Sequence, residues 1–541
     1  MKYIDISNRI IALLLIVLLM VGGACTDEFE DYNTNKTQLM DITDMELAGL
    51  FTRALIEGNC QLTSNQYSRW KSNVTDHFSG YTVIGGVDRE QNVFQLGHQQ
   101  SVFSNFYSKA IPAIVAIQTN SKEKNPAAYH VAMIWKGYIM QRLVDSWGPL
   151  PYTEAGNGSK VVPYESVKDV YYNIFRDVTA AVDYLTAEVG KNSNLNAFGE
   201  GDIMYQGKVS KWIKFANTLR LRMACRISNI DPTKAKTEAE AAVKGAMMDT
   251  NDDDAYIVDV PSFNGLQNGM CRIGGWHQNS MSTCMESILK GYNDPRMQEY
   301  FSVVSQETTS DHPEIMANIG GYHGLTPGFT ATDIVAFKLY SNFGPRWVGP
   351  TVVSTAVPIN VANAAETYFL KAEGAWRGWN MGSGTAQSFY EKGIEISIRQ
   401  WRGNSYPASQ ITAYINSTAT PVAPDNFPYY DPPMTDIPVK FASNAEDQFE
   451  QIITQKWLAL YPDSWEAWNE YRRTRLPKLY PKKNSMNPNI DVTKGMIVTR
   501  LPYPDNERTG QPEEYAKGVE LLGGPDLEST PLWWDVNKNG N

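Results

Sequence analysis

Residues 364–397 read AAETYFLKAEGAWRGWNMGSGTAQSFYEKGIEIS, and this stretch decides the fold. Apolar and small residues recur at helical spacing on both sides of a glycine-rich turn at residues 378–384. In the second half, Ala386, Tyr390 and Gly393 stand where the second helix of a tetratricopeptide repeat places its small and aromatic contacts. The stretch therefore predicts two helices packed as a pair, with the turn between them.

The same design recurs three times along the chain, more loosely. The further predicted pairs are His130–Trp147 with Ser166–Leu185, Ser210–Ile230 with Asp231–Met247, and Asn444–Tyr461 with Asp463–Thr474. Ser166 and Asp169 have the spacing of a capping box, and Asp231 is a good N-cap because Pro232 follows it at the first helical position. About four pairs predict a mainly α chain with a tetratricopeptide-like, right-handed scaffold.

Between the pairs lie long segments without helical periodicity. Residues 60–108, 248–360, 402–440 and the tail after 475 are rich in Gly, Pro, Asn and aromatic residues. We expect loops and a few short strands there, and a rigid scaffold commonly carries its binding site on such insertions. No segment predicts a second periodic core, so residues 25–541 are expected to form a single domain.

Composition limits the class of protein. The chain has 541 residues, of which 42% are hydrophobic and 11% aromatic, enough to bury a large core. Its net charge of -11 repels phosphate backbones, so nucleic acid is not an expected partner. Cys60, Cys225, Cys271 and Cys284 show no metal-binding spacing, so buried thiols are expected, with a Cys271–Cys284 disulfide as the alternative.

The N-terminus has the pattern of a lipoprotein signal peptide. Lys2 and Arg9 precede the apolar run 10–21, and small residues lead to Cys25. The run is shorter than the roughly 18 to 20 residues that a membrane-spanning helix needs. We therefore predict that residues 1–24 are removed. We also predict that acyl chains on Cys25, palmitate among them, anchor the protein to the membrane. The alternative is an ordinary secretory signal.

Several motifs occur in a family-specific order. They are LVDSWGPLPYTEA (143–155), KWIKFANTLRLRMACRIS (211–228), NDPRMQEYF (293–301), TRLPYPDNE (499–507) and the closing PLWWDVN (531–537). Together they resemble the signature of the SusD/RagB family of nutrient-binding outer-membrane lipoproteins, and the resemblance covers nearly the whole mature chain. Most of these residues also have a structural interpretation. Arg220, Arg222 and Arg226, for example, are expected to pair with Asp or Glu.

The resemblance implies a role in nutrient uptake. It implies a surface lipoprotein that captures an oligomeric ligand, usually a glycan and sometimes a peptide, and delivers it to a SusC/RagA-type TonB-dependent transporter. The acidic run TDEFED after Cys25 resembles the surface-export signal of Bacteroidetes lipoproteins, which places the protein on the extracellular face of the outer membrane. No chemistry on the ligand and no cofactor are implied.

The residues themselves give little sign of catalysis. The six histidines form no H-E-x-x-H motif, and no G-x-S-x-G elbow occurs. Residues 201–208 resemble a phosphate-binding loop, but Val209 stands where a magnesium-binding Ser or Thr belongs. No metal ligand set is predicted. Two carboxylates can still meet at glycosidase separation on folding, so a polysaccharide-cleaving enzyme stays as an alternative.

Binding chemistry is better supplied, in three loops. Sugars stack on aromatic rings and need polar partners for their hydroxyls. The loops that combine such residues contribute Phe78 and Tyr81; Trp276, His277 and Asn279; and Tyr322, His323, Arg346 and Trp347. Loop aromatics also often fix a loop to its scaffold, and this alternative stays open for each of them.

Overall fold

The computed structural model describes residues 42–60, 64–86, 89–97, 100–159, 161–257, 268–305, 308–329, 337–348, 357–537 and 539. The chain divides into two compact units, Met1–Glu46 and Leu47–Asn541, and the second contains the elements below apart from the start of the first helix. Cys25 and the acidic segment TDEFED that follows it lie outside the described residues. Among the described helices, none is long and apolar enough to cross a membrane.

The N-terminal half is helical almost throughout. Its elements are α1 (Asp44–Asn59), α2 (Ser64–Tyr67), π1 (Ser68–Thr75), α3 (Asp76–Phe78), β1 (Thr82–Ile84), a 3₁₀ turn (Arg89–Val93), α4 (Gln100–Asn105), π2 (Phe106–Ala110), α5 (Ile111–Ser121), α6 (Pro126–Trp147), α7 (Val167–Lys191), a 3₁₀ turn (Gly199–Gly201), α8 (Val209–Arg226) and α9 (Pro232–Ala242).

The C-terminal half alternates short elements with longer helices. It contains a 3₁₀ turn (Asn251–Asp253), β2 (Ala255–Ile257), α10 (Gly269–Gly275), β3 (Asn279–Met281), α11 (Thr283–Gly291), α12 (Met297–Tyr300), α13 (Pro313–Met316), a 3₁₀ turn (Phe337–Leu339), β4 (Ile359–Ala362), α14 (Ala364–Trp376), α15 (Ala386–Arg402), α16 (Ala408–Ile415), α17 (Ala445–Leu460), α18 (Ser464–Thr474), a 3₁₀ turn (Val492–Lys494), α19 (Asp505–Gly510) and α20 (Pro512–Leu522).

The four predicted helical pairs are α6 with α7, α8 with α9, α14 with α15, and α17 with α18, which confirms the mainly α, tetratricopeptide-like fold class. Their predicted caps are present: the Ser166 side chain accepts a hydrogen bond from the Asp169 backbone N–H. Asp231 does the same for Lys234, with Pro232 at the start of α9. These caps satisfy N–H groups that a helix leaves without intrahelical partners.

A glycine lets α14 and α15 pack closely. A Cβ atom on Gly393 would lie 2.8 to 3.0 Å from ring atoms of Phe369 on α14. Any larger residue would therefore push the ring away. Tyr390, one turn earlier, is buried and donates a hydrogen bond of 2.6 Å to the Val439 carbonyl oxygen.

Buried ion pairs tie the helical pairs to one another. Arg222 on α8 donates to both carboxylate oxygens of Glu366 on α14, at 2.8 and 2.6 Å. The neighbouring arginines of α8 are also paired, as predicted: Arg220 with Glu238, and Arg226 with Glu466 and Glu470. Such pairs are costly to break, because a charge would be left without a partner in the core.

Segment 60–108 is more helical than the sequence predicts. It contains α2, π1, α3, α4 and part of π2, so the prediction of loops was wrong for most of this segment, whereas β1 is one of the short strands that were predicted. The π-helical turns explain the error, because their i to i+5 hydrogen bonds shift the apolar residues off the 3.6-residue period. α1 and α5 were also not predicted, and the other segments predicted as loops contain the short helices α10–α13, α16, α19 and α20.

Short strands occur where insertions meet. β1 pairs antiparallel with β3, and β2 pairs antiparallel with β4. In the first sheet Thr82 lies opposite Met281, and Ile84 lies opposite Asn279. The thiols of Cys60, Cys225, Cys271 and Cys284 are free and buried, as expected, so the alternative disulfide is not formed.

Candidate functional site

The three predicted binding loops meet through their backbones. β1 and β3 join the loop at 78–86 to the loop at 272–281. Ser341 then connects the second loop to the third, because its carbonyl oxygen accepts from the Met281 N–H at 2.7 Å and its N–H donates to the His323 carbonyl oxygen at 2.9 Å. Backbone hydrogen bonds therefore connect residues more than 200 positions apart into one network.

Trp276 is the predicted residue with the most accessible ring. Its side chain is 53% exposed, directly after α10. The Arg272 guanidinium carbon lies 5.2 Å from the centre of the Trp276 ring, and no atom lies within 4 Å of where a Gly275 Cβ would stand. A large aromatic surface exposed beside an open glycine offers a stacking platform for an apolar ligand face.

His277 and Asn279 point inward from the same loop. His277 has a φ of 52°, and its Nε2 lies 3.1 Å from the Tyr340 carbonyl oxygen. Asn279 is fully buried; it accepts from the Ser72 hydroxyl at 2.7 Å and donates to the Thr82 hydroxyl at 3.0 Å. Both side chains thus hold the loop that carries Trp276, and contact with a ligand stays a prediction for them.

Tyr322 and His323 are partly exposed on the adjoining loop. Burial and the Glu299 carboxylate raise the pKa of Tyr322, which therefore remains a neutral phenol that can donate a hydrogen bond. Burial and the Lys290 ammonium lower the pKa of His323 to about 4, so its imidazole is neutral at physiological pH. The side chains of Tyr322 and His323 are therefore uncharged polar groups that are partly accessible at the surface.

One group of metal-type donors includes His323. Its Nδ1 lies 3.7 Å from Glu286 Oε1 and 3.5 Å from Asp425 Oδ2. The Lys290 ammonium lies 2.7 and 3.0 Å from the same two carboxylate oxygens. Because the lysine already balances their charge, this cluster works as an ion-pair network between α11 and the loop at 425.

Arg346 and Trp347 are neighbours in sequence with opposite environments. Arg346 is exposed, with its guanidinium carbon 4.6 Å from the centre of the Trp401 ring. Trp347 is only 2% exposed and packs against Phe343, Trp401 and Tyr461. Arg346 is therefore accessible to a ligand, whereas Trp347 contacts the protein.

Phe78 and Tyr81 are also buried. The Tyr81 hydroxyl donates to the Trp457 carbonyl oxygen at 2.5 Å, which fixes its loop to α17. Phe78 packs against Trp468 and Phe94, with ring centres 5.3 and 5.7 Å apart. It also lines a cavity of about 280 Å³. The sequence did not point to this cavity, because its walls come from segments separated by hundreds of residues.

The helical pairs and their long insertions define a class: a helical-repeat scaffold whose loops form a surface with an exposed aromatic ring. Residues 26–535 match the family model described as SusD-like, Susd and RagB outer membrane lipoprotein. The chain belongs to this family, as the motif resemblance implied. No curated protein matches the chain.

Several solved structures are similar over almost their whole length. A chitin-binding SusD homolog from Flavobacterium johnsoniae is 34% identical, with a TM-score of 0.79 over 92% of this chain and 100% of its own. A SusD homolog from Bacteroides vulgatus is 29% identical, with a TM-score of 0.76 over 88% and 93% of the two chains. A SusD-like protein from Bacteroides thetaiotaomicron is 28% identical, with a TM-score of 0.79 over 92% and 100%.

Proposed function

We propose that this protein is a cell-surface receptor that binds a glycan without chemical change and passes it to a SusC/RagA-type TonB-dependent transporter. The observation that carries the proposal is the exposed ring of Trp276 on a loop held by buried hydrogen bonds. A platform that is already fixed loses little conformational entropy when a ligand stacks on it.

The surroundings of Trp276 suit a sugar better than a fully apolar ligand. A pyranose ring has an apolar C–H face for the indole and hydroxyl groups for polar neighbours. Arg272 lies over the same ring, and the exposed Arg346 and partly exposed Tyr322 lie near residues that backbone hydrogen bonds through Ser341 connect to this loop. The F. johnsoniae relative, described as chitin-binding, favours a glycan over a peptide and makes chitooligosaccharides the first ligands to test.

The cellular setting is proposed from the N-terminal sequence and the family. The family is described as outer membrane lipoproteins. Acyl chains on Cys25 would hold the mature chain at the membrane, and the acidic run that follows would direct it to the extracellular face. A transporter partner suits a receptor that must release its ligand across the membrane.

Isothermal titration calorimetry with chitohexaose tests the binding proposal. Trp276→Ala should weaken binding about tenfold or more, equivalent to about 1.4 kcal/mol. It should change the melting temperature little, because the ring is half exposed. Trp379→Ala is the matched control: Arg377 likewise lies over that ring, at 5.9 Å, but on the turn between α14 and α15.

Three outcomes would redirect the proposal. Unchanged affinity together with a large loss of stability in Trp276→Ala would show that this ring serves packing. Binding of peptides but not glycans would support a RagB-like peptide receptor. Shortened products after incubation with a glycan library would indicate a polysaccharide-cleaving enzyme. For the partner, cross-linking in intact cells should capture a TonB-dependent transporter, and its repeated absence would refute delivery to one.

A further inference from the structure

A cavity that Trp276 does not line lies between residues 77–94 and segments nearer the C-terminus. Its volume is about 280 Å³. Phe78, Phe94, Trp468 and Val498 line it with apolar surface, and Met434 stands where it is partly open to solvent. A cavity of about 150 Å³ lined by apolar side chains suffices for benzene. This one therefore has room for a considerably larger apolar group.

The cavity wall also contains one cationic side chain, Lys482. Its Nζ lies 2.8 Å from His77 Nδ1 and 2.9 Å from the Asn92 carbonyl oxygen, and 4.7 Å from the centre of the Phe94 ring. An ammonium group has three N–H donors. Within the described part of the chain, the third donor has no acceptor and no carboxylate lies within 4.0 Å of Nζ. The adjacent Lys483, by contrast, pairs with Asp431 at 2.7 Å.

His77 cannot neutralise this lysine. Its Nε2 lies 2.7 Å from the Asn73 carbonyl oxygen and donates to it, which leaves Nδ1 as the acceptor for Lys482. Burial and the lysine charge lower the pKa of His77 well below its usual value, so the imidazole stays neutral. Burial also lowers the pKa of Lys482 to about 7. Burial is the main cause of both shifts, and the absence of a carboxylate within 4.0 Å of Nζ among the described residues leaves the Lys482 charge without compensation.

We propose that this cavity binds an organic carboxylate with an apolar body, with the carboxylate bound to the Lys482 ammonium. A desolvated cation is costly unless it is paired, and a carboxylate would accept the remaining N–H and supply the missing charge. Phe78, Phe94 and Trp468 would cover the apolar part. A sugar fits poorly, because the same walls offer few partners for its hydroxyls. The inference is independent of the glycan proposal.

Calorimetry of the mature protein with decanoate and 1-decanol tests this inference. The wild type should bind decanoate at least tenfold more tightly than 1-decanol, because the alcohol has the same chain but no charge. Lys482→Met keeps the stem and should abolish that preference. Lys483→Met is the matched control and should leave decanoate binding unchanged, since its ammonium pairs with Asp431.

Met434→Trp places a bulkier side chain at the partly open side of the cavity and should prevent binding of both compounds. This variant still tests occupancy of the cavity if Lys482→Met does not fold. Equal affinity of the wild type for decanoate and 1-decanol would overturn the proposal. So would unchanged decanoate affinity in Lys482→Met. The proposal also fails if the wild type binds neither decanoate nor 4-phenylbutanoate, a shorter carboxylate with an aromatic body.

Discussion

The ion pair between Arg222 and Glu366 should contribute strongly to the stability of the scaffold. Both side chains are almost completely buried, with 2% and 0% exposure, and two hydrogen bonds of 2.8 and 2.6 Å join them. If Glu366 is replaced by Leu, Glu466 is the carboxylate that remains within 4.0 Å of the guanidinium among the described residues, at 3.9 Å. Glu466 already pairs with Arg226, so it cannot fully compensate.

Breaking such a pair on one side costs about 3 to 5 kcal/mol, because a desolvated charge is left behind. We therefore expect a loss of that size in the free energy of unfolding for Glu366→Leu and for Arg222→Met. The double variant removes both charges and should lose less than the sum of the two, with a coupling energy of about 1 to 3 kcal/mol. Guanidinium chloride unfolding followed by far- and near-UV circular dichroism measures all three.

An exposed pair provides the control. Lys191 and Glu188 on α7 are 2.7 Å apart, but their side chains are 72% and 30% exposed, so Glu188→Ala should cost less than about 1 kcal/mol. The reasoning fails if Glu366→Leu costs no more than Glu188→Ala. It also fails if the two single losses simply add in the double variant, because the partners would then act independently.

Two further predictions concern the anchor and the buried lysine. Cys25→Ala should give a folded protein that no longer partitions with membranes, and persistent association of this variant in cells without a transporter partner would contradict lipid anchoring. For Lys482, burial lowers the folded-state pKa to about 7 from the usual 10.5, so the ammonium destabilises the fold below pH 7 and this penalty fades as the pH rises towards 10.5. Lys482→Met should therefore stabilise the protein relative to the wild type, and this gain in the free energy of unfolding should be about 1 to 2 kcal/mol larger at pH 7.5 than at pH 10.5. The figure is well below full conversion of the pKa shift because Lys482 is only partly buried. A pH-independent difference in urea unfolding would refute this.

The helical pairs were predictable because their signals are local. Ser166, Asp231 and Pro232 mark helix starts within a few residues of the turns they define, and apolar spacing marks the buried face. π1 and π2 were not predictable in this way. Their wider turn changes which residues share a face, so the periodicity that identifies α6 or α15 is absent there.

The environment of a loop aromatic was not predictable from its neighbours. Trp276 and Trp347 both lie near Gly and Arg in segments whose sequence shows no helical periodicity, yet one is 53% exposed and the other 2%. Trp347 is buried by Trp401 and Tyr461, which lie 54 and 114 positions further along the chain. The residues next to Trp347 in the sequence do not predict such long-range contacts. For the same reason it gave no sign that Lys482 would line a cavity with Phe78.

The buried members of the predicted site explain why an exposed ring can remain in place. β1 and β3 have three residues each, and a two-stranded sheet of that size is not stable alone. Tyr81 connects this sheet to α17 through the Trp457 carbonyl oxygen, and the Trp457 indole N–H donates to the Ser79 carbonyl oxygen at 2.8 Å. Asn279 adds hydrogen bonds to π1 and β1. The rigidity of the helical scaffold thus extends through buried polar contacts to the loop of Trp276, and a ring held in this way can stack on a ligand without first being ordered.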